Sequence, residues 1–121
     1  MQNNALEAQR DKEGTYELSS NVNGQPSWIS ECCGIWYVLV WRIWMIGPLE
    51  FIGTDQGGIE SKVLGSKVES PEYIVEWNYH TENGWVPYNG NDDVIVGCIS
   101  PEGKPILLFL ILYFTLFLML F

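Results

Sequence analysis

Between residues 14 and 100, short apolar or aromatic runs alternate with Gly, Pro, Asn and Asp, and no stretch keeps an apolar face at helical spacing. This excludes a helix-rich fold for most of the chain. Strands are expected at 15–18, 27–30, 35–40, 41–46, 58–62, 73–79, 85–87 and 94–99. Asn23-Gly24 and Asn83-Gly84 are the clearest turns, because Asn and Gly tolerate the positive φ that tight hairpins require. The predicted fold is mainly β, a small antiparallel sheet or barrel-like domain of hairpins, followed by a C-terminal hydrophobic helix.

Ile35 begins the sequence IWYVLVWRIWMIG, in which neither alternating face is polar and only Arg42 is charged. A membrane-dipping segment is one reading. A pair of buried strands is the better one, because a membrane helix needs about 20 residues and this composition favours strand. The turn dividing such strands lacks the usual Gly, Asn or Asp. All six tryptophans precede residue 86. With each large ring able to bury about 150–250 Å², few residues can build a core.

The chain closes on sixteen uninterrupted apolar or nearly apolar residues, 106–121, whose only polar groups are the hydroxyls of Tyr113 and Thr115. As a helix, residues 105–121, opened by Pro105 and closed by Phe121, would span roughly 25 Å, slightly less than the hydrocarbon layer. A membrane segment is therefore expected, as a tail anchor or a truncated stop-transfer span. Competing readings are a glycolipid-anchor signal and a buried core strand or helix. The expected organisation is a polar leader (1–13), a Trp-rich β-domain (14–100), a neck (101–104) and the membrane segment (105–121). The leader has no apolar core and is no secretory signal peptide.

GTYEL from Gly14, NGQPSW from Asn23, IWYV from Ile35, WMIGPLEFIG from Trp44, GGIES from Gly57, WNY from Trp77 and GWVP from Gly84 together resemble a small tryptophan-rich β-module. Such modules occur in large secreted or membrane-attached proteins of protists and marine invertebrates. The resemblance covers residue 14 to about residue 98 and departs from the pattern at residues 38–42, where Val-Leu-Val-Trp-Arg replaces a polar turn. It implies an extracellular interaction module and transfers no catalytic residue.

The net charge of −9 argues against nucleic acid, whose recognition begins with a basic footprint. Cys32 and Cys33 are adjacent and can bridge each other only through a strained ring, so a structural disulfide is expected between Cys33 and Cys98. No CxxC spacing or histidine cluster suggests a metal, and no motif asks for a cofactor. Cys33 with His80 lacks an orienting third group. Glu76 and Glu82 bracket Trp77, Tyr79 and His80, an arrangement similar to the paired carboxylates and aromatic platforms of glycosidases, but scattered acids are expected by chance in so acidic a chain. No enzyme is expected, with a small glycoside hydrolase as the remote alternative. If Tyr79, Trp85 and Tyr88 gather beside the Asn83-Gly84 turn, they form an aromatic platform for a carbohydrate or protein ligand; the alternative is that these rings fill the core. Two functions follow: a membrane-attached, extracellular-type binding or display module, or a structural spacer of a larger surface protein. In both, the lipid bilayer is the expected partner and a single-pass or C-terminal anchor the expected localisation.

Overall fold

A computed structural model describes residues 9–87, 92–98 and 107–114. The fold is a nine-stranded antiparallel sheet: β1 (Gly14–Leu18), β2 (Trp28–Ile29), β3 (Cys33–Val38), β4 (Ile43–Pro48), β5 (Ile59–Ser61), β6 (Trp77–Thr81), β7 (Gly84–Pro87), β8 (Asp92–Cys98) and β9 (Leu107–Phe114). Strands β1 to β7 neighbour one another in chain order, and β9 lies between β1 and β8. Three short 3-10 turns, Arg10–Lys12, Leu49–Phe51 and Pro71–Tyr73, complete the described structure.

Pairing registers set two adjacent rows of side chains on opposite faces, as the pleat requires. The inner row runs Trp28, Ile35, Ile46, Ile59, Tyr79, and the outer row Trp36, Met45, Glu60, Asn78, Pro87. A single buried cluster gathers inward side chains from β1 to β6 and from β8 and β9, so the sheet curls around its core. The 3-10 turn Pro71–Tyr73 packs against β8. Trp28, Trp44 and Tyr37 meet edge-on or tilted, with ring centroids 5.8 and 5.5 Å apart, the arrangements that aromatic quadrupoles favour. Three buried indoles also donate their N–H to backbone carbonyls: Trp44 to Glu69 O at 2.7 Å, Trp36 to Thr54 O at 2.8 Å and Trp77 to Ile74 O at 3.2 Å.

The stretch beginning at Ile35 is a pair of buried strands, with Val38 opposite Ile43 at the hairpin end. Its tip solves the missing-turn problem by placing Arg42 at φ 54°. At Asn23-Gly24 both residues take positive φ, 54° and 85°. The second hairpin centres instead on Glu82 and Asn83, since Thr81 pairs with Gly84, whose φ is 104°. The strand expected at 73–79 begins only at Trp77. Pro71 opens a 3-10 turn there, in which Tyr73 N–H bonds Ser70 O and Ile74 N–H bonds Pro71 O.

The expected C-terminal helix is corrected over its described part: residues 107–114 form strand β9. Two open ladders compete successfully with the helix. β9 pairs with β1 from Leu107 to Leu110 and with β8 from Leu108 to Phe114. Alternate residues Leu108, Leu110 and Leu112 are 0%, 1% and 2% exposed in the core. The Glu13 carboxylate also accepts the Leu112 N–H at 2.8 Å. Among the described residues no helix is long and apolar enough to cross a membrane. Pro105, Phe121 and the neck lie outside the described residues.

Candidate functional site

Residues 49–58 fold back over the outer face of β3 and β4, where glycines allow close approach. A Cβ on Gly57 would stand 2.6 Å from Met45 Cγ and Sδ, and one on Gly47 would stand 2.8 Å from Gly57 Cα. This loop brings Asp55 toward the outer face of β5, β6 and β7, whose registers display Glu60, Asn78, His80 and Trp85 together. Two adjoining hollows result, of about 460 and 410 Å³, and Asp55 and Trp85 line both. Their size matches small-ligand sites.

The first hollow is bounded by Gln9, Lys12, Gly58 and His80. Gln9 Nε2 donates to His80 O at 3.3 Å, while its buried Oε1 has no hydrogen-bond partner. That oxygen is an acceptor a ligand hydroxyl would satisfy, since a buried unpaired polar atom is costly. His80 packs edge-on against Trp85, with ring centroids 5.1 Å apart.

The second hollow lies between Trp41 and Trp85, with Glu60, Lys62 and Asn78 among its lining. Asn78 Nδ2 donates to Glu60 Oε2 at 3.2 Å, leaving Asn78 Oδ1 and Glu60 Oε1 as acceptors. Burial raises the Glu60 carboxyl above the ordinary carboxylate range, against the opposing pull of the Asn78 hydrogen bond and of His80. Trp41 Nε1 donates to Asp55 Oδ2 at 3.4 Å, tying the hairpin tip to the loop. Trp85 is 38% exposed and Trp41 56%, so both present ring surface to solvent.

Of the two described residues of the expected platform, Trp85 stands in this site and Tyr79 does not. Tyr79 alternates with His80 along β6 and falls in the inner row, buried beside Ile59, so it and Trp85 point to opposite faces. Tyr88 lies outside the described residues. Trp41 and Asn78 line the second hollow and are candidate site positions that sequence reasoning missed. Trp41 followed the strand pattern of its neighbours, and only the absent turn residue marked it as a tip. Asn78 stood only inside the WNY segment of the resemblance, with nothing to set it apart from its aromatic neighbours.

The disulfide is likewise corrected: Cys32 bonds Cys33. Cys33 on β3 and Cys98 on β8 stand four strand-to-strand steps apart in the sheet order. Bonded to its neighbour, the Cys33 sulfur has no valence left for Cys98, which takes part in no disulfide. Glu76 and Glu82 flank β6 at its two ends. They stand roughly 20 Å apart along an extended strand, beyond the carboxylate spacing of glycosidases. Lys62 pairs with Glu76 at 3.5 Å.

Comparisons with protein-family models, curated proteins and solved structures find no match for the chain.

Proposed function

We propose that this chain is a binding module of extracellular type, without catalysis, that takes a neutral saccharide in the groove walled by Trp41 and Trp85. The observation that carries this reading is the pairing of exposed indole surface with a cluster of directed polar groups, Asn78, Glu60 and Asp55, in a hollow of about 410 Å³. Sugars present an apolar C–H face and a rim of hydroxyls. An indole stacks on the first, and carboxylate and amide oxygens accept from the second. The net charge of −9 favours a neutral ligand over an anionic one. The Gln9 Oε1 acceptor in the adjoining hollow extends the polar track.

Titration of the full chain with a panel of neutral oligosaccharides, followed by tryptophan fluorescence, tests this. A saturable change is expected with at least one of them. Trp85→Ala should weaken binding by on the order of 2 kcal/mol, about thirtyfold. A panel without any saturable response, or an unaffected Trp85→Ala variant, would refute the reading.

One observation favours a second reading, in which the bilayer is a partner through the hairpin tip. Leu39, Val40 and Trp41 are 60%, 84% and 56% exposed at that tip. Val63 is also exposed beside them, next to Leu64, whose N–H bonds Arg42 O at 2.7 Å. Contiguous exposed apolar side chains mark membrane or protein contacts. Sedimentation with neutral phosphatidylcholine vesicles should carry down the wild type but not a Leu39→Ser/Val40→Ser variant.

A further inference from the structure

The Cys32–Cys33 pair plays no part in the groove. It sits at the start of β3 against the 3-10 turn Arg10–Lys12. The Cys32 sulfur lies 3.1 Å from the Asp11 carbonyl oxygen. One sulfur from each cysteine and a carboxylate oxygen of Asp11 all lie within 4.8 Å of one another, the one group of three metal-ligating side chains found among the described residues. Cys32 and Asp11 are exposed, whereas Cys33 is buried.

We propose that reduction turns this cluster into a binding site for a thiophilic divalent ion, zinc being the natural candidate. An external dithiol reduces the Cys32–Cys33 bond, giving up two electrons to become a disulfide itself and leaving two thiols. Zinc binding then displaces both thiol protons to water and forms two metal–sulfur bonds. Tetrahedral zinc with bonds of about 2.3 Å holds two sulfurs about 3.8 Å apart, so the pair must open only modestly. Asp11 supplies the third ligand. Its Oδ1 pairs with Lys12 Nζ at 3.2 Å, and Oδ2 remains to face the ion. Two thiolates and one carboxylate are balanced by the dication and the Lys12 ammonium, so the loaded site is neutral. Such balance matters because the Lys12 side chain is only 7% exposed. The exposure of Cys32 and Asp11 leaves the fourth position to water, as in open zinc sites. The oxidised pair offers no thiolate and binds no ion, so occupancy follows the redox poise of the surroundings.

The test uses the full chain with cadmium as the spectroscopic probe. After reduction and removal of the reductant under inert gas, one equivalent of cadmium should produce the ultraviolet cadmium–thiolate charge-transfer band. The oxidised chain should produce none. Cys32→Ser, an exposed position, should abolish the band, and Cys98→Ser should leave it intact. Asp11→Asn should preserve the band while weakening affinity at least about tenfold. Circular dichroism confirms that each variant keeps its sheet. A reduced chain that develops no band would overturn the proposal, as would a band that survives Cys32→Ser or one that disappears with Cys98→Ser.

Discussion

Single residues carry more of this fold than their types suggest. Arg42 occupies the left-handed region at φ 54°, where a side chain bearing Cβ costs about 1–2 kcal/mol. Arg42→Gly relieves that strain at the expense of a more flexible unfolded chain. The net gain expected in urea unfolding is about 0.5–1 kcal/mol. Glu60 gives a pH signature. Burial raises its carboxyl in the folded state, so folding favours the protonated form. Its contribution is fully present at acid pH below the unfolded carboxyl's titration and is lost as pH rises through the raised folded value. Glu60→Gln should therefore flatten the decline in stability on going from mildly acid to neutral pH, measured as the difference in urea midpoint between variant and wild type. An equal decline in both proteins would show that Glu60 carries no such penalty.

At the scale of elements, the hairpins were legible and the C-terminal strand was not. Asn23-Gly24 announced its turn, and the alternation of residues 35–46 announced β3 and β4, because local backbone chemistry decides both. The C-terminal run was ambiguous for a physical reason. Transfer energy measures only how strongly leucine and phenylalanine leave water, and a core strand satisfies that demand as well as lipid does. What decides between them is the pair of open ladders on β1 and β8, which come from distant sequence. Leu110, 1% exposed, discriminates the two. Leu110→Ala should destabilise the domain by about 2–5 kcal/mol if β9 is core, whereas a lipid-embedded segment would leave the unfolding midpoint unchanged. The site was legible only in part for a similar reason. Trp85 could be picked out beside its turn, yet Tyr79 was misplaced because the cross-strand register pairs Trp85 with His80 and Tyr79 with Val86, which sends Tyr79 to the other face.

For the whole molecule, the curl of the sheet separates two tasks. The inner face spends most of its aromatic residues on a core in which Trp28, Trp44 and Trp77 are buried. The outer face of β5, β6 and β7, walled by Trp41 and overlain by residues 49–58, keeps polar side chains and exposed indoles together. That division supports recognition as the role of the groove, and it makes the tryptophans a built-in reporter. Each indole N–H gives its own signal in a nitrogen–proton correlation spectrum of the isotope-labelled chain. On titration with the oligosaccharide that binds, the Trp85 and Trp41 indole signals and the Asn78 side-chain amide should move together. The signals of Trp28, Trp36, Trp44 and Trp77 should stay in place. Movement confined to the buried indoles, or to residues away from β5 to β7, would contradict a saccharide site in this groove.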